Sequence, residues 1–290
     1  MEPGDAKLSA NFLSCGFIMK PHANQERNRL LESNFRTETQ GKCGGDSLFI
    51  VMPAYNEEQN IERVIREWYP KLEGKSVQSA LVVADSGSTD GTHEILLRLK
   101  KSECPKLRVL SDTGTCHGPK LMALYRYALN EGADYIFQTD SDGQTNPAEF
   151  AAFWRHRREY AAIFGKRTER EDGKERVLVE KVVCLLLRHY FKVRVPDANA
   201  PFRLMRAGAL EKYLGRLPDD YHIPNIMLTV YFVRGGERVR FPGVSFKPRS
   251  GGKSSVNFIK IAGTGFRALR DFTKFRKELN CKEAAHPKTR

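Results

Sequence analysis

Short apolar runs alternate with amphipathic segments between residues 47 and 140, and this alternation constrains the fold more than any other feature of the chain. The run LFIVMPA is apolar on both faces, which is typical of a strand buried inside a parallel sheet. The segment after it has apolar residues at spacings of three and four, which predicts a helix from about Glu57 to Trp68. A strand, a helix and a second strand in succession favour a right-handed crossover between parallel strands.

The same pattern recurs along the chain. Strands are predicted at ALVVAD (80–85), LRVL (107–110) and ADYIFQTD (133–140), and helices are predicted from about Asp90 and from about Pro119 to Asn130. The predicted fold class is therefore α/β, with a Rossmann-like, mostly parallel sheet flanked by helices. Ligands of such sheets bind beyond the carboxyl ends of the strands. The loops after residues 53, 84, 110 and 139 are the candidate site.

Composition excludes several classes of protein. The 290 residues include 17 Phe and 10 Tyr, which supply enough apolar surface to exclude a fully disordered chain. The longest uncharged apolar stretches, 47–56 and 182–187, are shorter than the roughly 20 residues that span a bilayer. Six scattered cysteines favour reduced thiols, and the apolar patch at 12–19 lacks the flanks of a signal peptide. We therefore expect a cytoplasmic protein.

Positive charge is concentrated at the carboxyl end. The formal net charge is +13, and residues 246–290, with twelve basic and three acidic side chains, carry +9 of it. We predict an amino-terminal extension (1–45), an α/β domain (46–245) and a basic tail (246–290). Apolar residues at helical spacing over 256–279 predict amphipathic helices that either lie on a membrane or dock onto protein. A further helix over 175–193 fits either the core or a membrane interface.

The loop after the fourth strand carries the most specific chemical signal. Asp140 and Asp142 are separated by one residue at a strand end, so both carboxylates converge on a point in front of the sheet. Hard oxygen ligands of this kind suit Mg²⁺ or Mn²⁺ with diphosphate oxygens. An EF-hand is excluded because the loop lacks a Glu at the twelfth position. The carboxylates of the first two loops, Glu57 and Asp85, could grip a nucleotide or simply cap helices.

Taken together and in order, these loops resemble the nucleotide-sugar domain of family 2 glycosyltransferases over about residues 47–256. The matching motifs are VMPAYNEE, VADSGSTDGT, HGPKLMAL and TDSDGQ. Within that family the chain is most similar to the dolichyl-phosphate mannose synthase group, because of DSDGQ and of GGERVRFPGVSFKPRSGGKSS. The resemblance implies a glycosyltransferase A fold that moves a sugar from a nucleotide to a polyprenyl phosphate.

The resemblance also implies roles for individual residues. Donor binding would fall to Pro53, Ala54, Tyr55, Glu57, Asp85, Gly118, Lys120, Asp140, Arg167 and Arg203. The metal would be surrounded by Asp140, Asp142 and Gln144, and Asp142, Arg249, Lys253 and Asp220 would take part in catalysis. Two departures from the family are Asp85-Ser86 in place of an Asp-Asp pair, and a 197–203 segment that lacks the usual Ser and Gly.

The expected activity is an inverting, metal-dependent transfer of a hexose from a UDP- or GDP-sugar to a polyprenyl phosphate or a saccharide, in glycan biosynthesis. An ionised phosphate acceptor needs no base, whereas a hydroxyl acceptor does. Asp219, Asp220 and His222 are the candidate bases, and the alternative is that they cap the helix over 225–234. Contact with the cytosolic face of a membrane and formation of oligomers are both compatible with the sequence.

Two other functions fit parts of the sequence. A sugar nucleotidyltransferase could use the same sheet and carboxylates, but Pro53-Ala54-Tyr55 stands where a Gly-rich basic loop is expected. A nucleic-acid-binding protein could use the basic tail. Since no zinc finger or other recognition motif is visible, only non-specific contact with nucleic acid is expected.

Overall fold

The computed structural model describes residues 45–170, 174–248 and 267–277. Within these ranges, short strands alternate with helices. The strands are β1 (Leu48–Ala54), β2 (Ala80–Asp85), β3 (Leu107–Leu110), β4 (Tyr135–Thr139), β5 (Ala162–Phe164), β6 (Lys166–Arg170), β7 (Phe202–Arg206), β8 (Val239–Arg240) and β9 (Gly243–Phe246). The helices are α1 (Ile61–Trp68), α2 (Thr92–Ser102), α3 (His117–Asn130), α4 (Phe150–Arg155), α5 (Lys174–Phe191), α6 (Ala207–Leu214), α7 (Pro224–Arg234) and α8 (residues 267–277).

Seven strands form the central sheet in the order β3-β2-β1-β4-β7-β5-β8. The strands β1 to β4 are parallel to one another, whereas β7 runs antiparallel to both β4 and β5. A separate ribbon is formed by β6 and β9. The predicted fold class is confirmed, with one antiparallel strand inside a mostly parallel sheet.

The strand order reverses beside β1. The chain proceeds from β1 to β2 and β3 on one side, then returns to place β4 on the other side of β1. Such a switch point opens a crevice between the two loops at the carboxyl ends of the strands. The loops after β1 and β4 therefore frame the crevice, and the loop after β2 extends it to one side.

Two helices begin later than predicted. The amides of Asn60 and Ile61 both bond to the carbonyl of Glu57, so residues 58–60 form a turn and α1 begins at Ile61. The carboxylate of Asp90 accepts the amide of Thr92 at 3.1 Å, and α2 begins there. In both cases polar residues ahead of the apolar pattern satisfy the first orphan amides without joining the helix.

The core lies on both faces of the sheet. On one face Trp68 packs against Phe137, with 5.1 Å between ring centroids, and against Phe202 at 5.9 Å. On the other face α3 packs on β1 and β2, and α7 and α8 belong to the same buried cluster. The α8 residue Phe272 is 1% exposed and lies 5.4 Å from Phe191 of α5. Of the two alternatives for the tail, docking onto protein therefore applies to residues 267–277.

Helix α5 has two apolar faces. Leu187 and Phe191 are buried in the core, whereas Leu178, Val182 and Leu185 are 63%, 47% and 64% exposed. The prediction of a core helix therefore holds for the side of α5 that carries Leu187 and Phe191, while the other apolar stripe lies at the surface. In the part of the chain that the structure describes, no helix is long and apolar enough to cross a membrane. The three-part division of the chain stays a prediction.

Candidate active site

The loops after β1, β2 and β4 are tied to one another at the carboxyl edge of the sheet. Ala54 and Asp85 are direct neighbours in the register of β1 and β2. The Asn56 amide donates to the Ser88 hydroxyl at 3.0 Å, which joins the first loop to the second. The Ser141 hydroxyl donates to the Pro53 carbonyl at 2.8 Å, which joins the fourth loop to the first. The predicted loops therefore form one connected surface.

Asp85 is held by its own chain on both oxygens. Its Oδ1 accepts the Ser88 hydroxyl and its Oδ2 lies 3.0 Å from Nδ1 of His93, in the first turn of α2. Ser86, which replaces the second Asp of the family pattern, accepts the Thr113 amide at 2.9 Å and donates to the Ser111 carbonyl at 2.8 Å. The substitution thus links the loop after β2 to the loop after β3.

Lys120 and Glu57 are buried side chains that hold the loop after β1 in place. Lys120 is 1% exposed, and its ammonium group donates to the Ala54 carbonyl and lies 5.3 Å from the ring centroid of Tyr55. Burial lowers the pKa of Lys120, and the charge of Asp85 opposes that shift. Glu57 is buried and accepts the side-chain amide of Asn60 at 2.9 Å. Among these residues Tyr55, 43% exposed, presents the most open surface to a ligand.

Gly118 lies where α3 meets the loop that precedes α7. A Cβ atom at this position would be 2.3 Å from the Tyr221 carbonyl oxygen and 2.6 Å from the Cα of His222. A side chain cannot fit there without movement of the backbone. The structure therefore gives Gly118 a packing role, and its expected contact with the donor stays a prediction.

The loop after β4 carries two half-buried carboxylates, Asp140 and Asp142. Asp140 Oδ1 accepts Gln138 Nε2 at 3.2 Å and lies 3.5 Å from Nε2 of His117. Asp142 Oδ1 accepts the Gln144 amide at 3.1 Å. In the described ranges no group of three or more His, Cys, Asp and Glu side chains is arranged to hold a metal ion. Two carboxylates fit a divalent cation whose remaining ligands are phosphate oxygens and water.

Gln144 connects this loop to the start of the basic tail. Its side-chain Nε2 donates to the Lys247 carbonyl at 2.8 Å, and the Lys247 amide donates to the Gln144 carbonyl at 2.8 Å. The predicted metal ligand is thus engaged by the backbone that leads into residues 249–253. The expected phosphate contacts Arg249 and Lys253 lie outside the described residues.

Arg203 is not where the sequence led us to expect it. It is fully buried on β7, with its guanidinium carbon 3.7 Å from the Phe164 ring centroid and its Nη2 donating to Thr229 at 2.8 Å. Burial lowers its pKa to about 10. A side chain enclosed in this way has no surface for a diphosphate, so the structure corrects the expected phosphate contact to a role inside the core.

Arg167 also pairs within the protein. Its Nε donates to Asp197 Oδ2 at 2.8 Å, its Nη2 donates to Asp197 Oδ1 at 2.9 Å, and the same nitrogen reaches Glu180 at 3.1 Å. Its side chain is 10% exposed. The geometry is a bidentate, buried ion pair, which holds β6 against α5 and the 197–199 segment. The expected contact with phosphate is thus replaced by two protein carboxylates.

The candidate bases occupy the loop before α7. The first helical residue of α7 is Pro224, and Ile223 is its N-cap without a side-chain hydrogen bond, so the predicted capping by aspartate is wrong. Asp219 pairs with Arg126, and His222 Nδ1 lies 3.7 Å from the Asp271 carboxylate of α8. Asp220 is exposed. The structure thus leaves the assignment of a base as a prediction.

Two histidines at the site were missed by reasoning from the sequence. His93 contacts Asp85, and His117, 54% exposed, contacts Asp140. Each stands in the first turn of a helix that follows one of the candidate loops. A search for imidazoles at those helix starts would have found both.

The family model for glycosyl transferase family 2 matches residues 49–214. The chain belongs to this family. The match covers β1 to α6 and therefore the loops after β1, β2, β3 and β4, but not the loop before α7 or the start of the tail. The expected family is thereby confirmed.

Known relatives are distant and longer. Glycosyltransferase AglD of Haloferax volcanii is 25% identical over 79% of this chain and 37% of its own length. The undecaprenyl-phosphate 4-deoxy-4-formamido-L-arabinose transferase of Salmonella choleraesuis is 22% identical over 73% of this chain and 63% of its own length. The chain thus spans less than two thirds of the curated relatives that it matches.

Solved structures share the fold. Glucosyl-3-phosphoglycerate synthase from Mycobacterium tuberculosis, in complex with Mn²⁺, uridine diphosphate and phosphoglyceric acid, superposes with a TM-score of 0.59 at 19% identity. The superposition covers 80% of this chain and 78% of that one. A complex of the same enzyme contains Mg²⁺ and uridine diphosphate. The glycosyltransferase A type of sheet is thereby confirmed for this chain.

Proposed function

We propose that the protein is an inverting glycosyltransferase that uses a divalent cation and a nucleotide-sugar donor. The observation that carries the proposal is the position of Asp140 and Asp142 at the β1/β4 switch point. Through Ser141 and Gln144 their loop is bonded to the loop after β1 and to the start of the basic tail. A nucleoside diphosphate in this crevice would meet carboxylates, the cation that they hold, and basic side chains.

Asp140 and Asp142 are the residues that would hold Mg²⁺ or Mn²⁺. The cation supplies Lewis-acid stabilisation of the negative charge that develops on the departing nucleoside diphosphate. The carboxylates lie on the same short loop, and the buried Ser141 between them anchors that loop to the Pro53 carbonyl. This anchoring keeps both carboxylates in place before the donor binds, so no ordering of the loop is required at that step.

The start of the basic tail supplies the second source of positive charge. Lys247 is bonded to Gln144 through both its backbone amide and its carbonyl. Arg249 and Lys253 follow Lys247 in the sequence by two and six positions. We propose that Arg249 and Lys253 contact the diphosphate that binds the cation held by Asp142. Charge-assisted hydrogen bonds from these side chains would stabilise the leaving group and exclude water.

The acceptor is proposed to be a polyprenyl phosphate, with a saccharide as the alternative. An ionised phosphate oxygen can attack the sugar directly, and the undecaprenyl-phosphate transferase among the relatives acts on an acceptor of this class. The exposed stripe of Leu178, Val182 and Leu185 on α5 supports contact with a lipid surface. The neighbouring α8 presents exposed basic residues, including Arg270 and Lys274, that suit anionic headgroups at the cytosolic face.

Donor use is tested by incubating the protein with Mn²⁺ and a panel of UDP- and GDP-sugars, with and without polyprenyl phosphate. We expect release of nucleoside diphosphate that depends on Mn²⁺ and falls by at least about 100-fold in Asp142→Asn, since charge stabilisation of the leaving group is lost. The control Glu131→Gln changes an exposed carboxylate at the opposite edge of the sheet and should retain activity. Release of pyrophosphate from a nucleoside triphosphate would instead favour the nucleotidyltransferase.

Membrane contact is tested by sedimentation with vesicles. Anionic vesicles should carry the protein down and neutral vesicles should not, because both apolar burial and charge attraction contribute. Leu185→Ser should weaken sedimentation, whereas Leu97→Ser, which changes an exposed leucine on α2, should not. Equal behaviour of the two variants would remove α5 from the proposal.

A further inference from the structure

Within the pair formed by Asp85 at the end of β2 and His93 in the first turn of α2, the imidazole and not the expected carboxylate is open to solvent. The side chain of Asp85 is 1% exposed, whereas that of His93 is 39% exposed. The two are joined between Nδ1 and Oδ2 at 3.0 Å. A ligand that approaches this strand end therefore meets His93 before it can reach Asp85.

A chain of hydrogen bonds fixes the proton on the His93 ring. An ionised carboxylate only accepts hydrogen bonds, so the contact with Asp85 places a hydrogen on Nδ1, and in the neutral imidazole this leaves the lone pair on Nε2. The other Asp85 oxygen is taken by the Ser88 hydroxyl, and Ser88 in turn accepts the Asn56 amide at 3.0 Å. The carboxylate is thus held from both sides, which keeps the imidazole in one tautomer.

His93 is placed where a nucleoside would lie if the diphosphate occupies the crevice. The diphosphate site, at Asp140 and Asp142, follows β4 on one side of β1, whereas His93 follows β2 on the other side. Asp85 is the register neighbour of Ala54, so the first loop and its exposed Tyr55 separate the two positions. A nucleotide that crosses the end of β1 would have its phosphates over β4 and its nucleoside over β2.

We propose that His93 contacts the donor nucleoside through Nε2, which accepts a hydrogen bond from the imino N–H of the base or from a ribose hydroxyl. Asp85 is then a positioning residue that acts through His93 and makes no contact with the ligand. This inference rests on the proposed function, since it requires a nucleotide donor. It replaces the expected direct bond between Asp85 and the base or ribose.

The test measures binding of UDP and GDP in the presence of Mn²⁺ by calorimetry, for the full chain and four variants. His93→Ala should weaken binding of the better nucleotide on the order of tenfold, as expected for one hydrogen bond. His93→Gln, whose amide oxygen can accept, should weaken it less. Asp85→Asn should weaken binding in the native background and have no further effect when combined with His93→Ala.

The control is His156→Ala. His156 forms the same kind of pair with Glu159, at 2.8 Å, but it precedes β5 at the opposite edge of the sheet. Its loss should leave nucleotide affinity unchanged. Thermal unfolding of every variant without nucleotide separates a binding defect from a folding defect.

Nucleotide analogues distinguish the two sources of the hydrogen bond. An N-methylated base removes the imino hydrogen, and a 2′-deoxyribose removes one hydroxyl. The analogue that lacks the relevant donor should bind the native protein more weakly but should bind His93→Ala as the parent nucleotide does.

Other results would contradict either the role of His93 or the proposed function. Unchanged or tighter binding by His93→Ala would overturn the inference. A full effect of Asp85→Asn in the His93→Ala background would also overturn it, because Asp85 would then act without His93. In that case binding by the native protein leaves the proposed function standing. Failure of the native protein to bind any nucleotide would overturn both.

Discussion

Removal of Arg167 from its buried pair with Asp197 should be one of the most destabilising single substitutions in the domain. Arg167 joins two carboxylates, and the side chains of Arg167, Asp197 and Glu180 are 10%, 3% and 13% exposed. Arg167→Met keeps much of the side-chain volume but removes the positive charge. Both carboxylates then remain buried without their cation, which is the costly case for a buried ion pair.

The expected loss is about 3–5 kcal/mol in the free energy of unfolding, the range for removal of one partner of a buried pair. At roughly 2–4 °C per kcal/mol for a domain of this size, the melting temperature should fall by roughly 6–20 °C. Circular dichroism during thermal or urea unfolding measures both quantities. The matched control is Arg66→Met, because Arg66 also bridges two carboxylates, Glu62 and Glu103, but lies at the surface. Its melting temperature should change little.

The loss of unfolding free energy in Arg167→Met should depend on pH. Burial raises the pKa of Glu180, and the charge of Asp197 adds to that shift. Burial acts in the same direction on Asp197, but the hydrogen bonds and charge of Arg167 outweigh it and hold the pKa of Asp197 below its usual range. Without Arg167 the pKa values of Glu180 and Asp197 should both lie above those in the unfolded chain. The folded state of the variant then binds a proton that its unfolded state releases. Stability is then regained as the pH falls from about 7 to about 5.

Two results would refute this reasoning. A loss for Arg167→Met as small as that for Arg66→Met would mean that the buried carboxylates are solvated or neutral already. A large loss of equal size at pH 5 and pH 7 would mean that packing, and not charge, is what Arg167 contributes.

Three further changes test other parts of the structure. Gly118→Ala should destabilise the protein by about 1–3 kcal/mol through overpacking, whereas Gly208→Ala, with open space around the new Cβ, should be neutral or stabilising in urea unfolding. Phe272→Ala should cost about 3 kcal/mol without any lipid present, because its ring is already buried against the domain; an unchanged melting temperature would contradict docking. Iodoacetamide at pH 8 should label the exposed Cys116 in the native protein and spare Cys184, whose pKa burial and the neighbouring Glu180 raise to about 12; mass spectrometry of the peptides decides.

The parallel half of the sheet could be predicted from the sequence because its signals are local. The strands β1 and β2 lie where LFIVMPA and ALVVAD were expected, since apolar residues on both faces of a short run have few other solutions. The antiparallel β7 carries no such signal. Its sequence FRLMR places a buried arginine among apolar residues and ends in an exposed arginine. Its direction depends on pairing with β4 and β5, which lie 30 or more residues away.

The sequence was sufficient to predict which loops form the site, but not which partners their side chains contact. The order of the four loops follows from the strand pattern, whereas the partners of each side chain come from other elements. Lys120 reaches back 66 residues to the Ala54 carbonyl, and Asp85 is covered by an imidazole of the next helix. Residue type therefore indicates what chemistry a loop offers, while burial decides which atoms a ligand can touch.

The effect of burial is clearest for the basic residues. It reduces the number of cationic side chains that can contact the diphosphate in the proposed mechanism. Arg167 and Arg203 were both expected to face phosphate, yet one neutralises two buried carboxylates and the other lies over a phenylalanine ring in the core. Neither charge is then available to a diphosphate at the switch point. Of the basic residues expected to meet that charge, Arg249 and Lys253 remain, beside the cation proposed for the metal loop. Since the backbone of Lys247, which precedes them in the sequence, is bonded through Gln144 to the loop of Asp142, the charge of the tail and that of the cation should act on the same diphosphate.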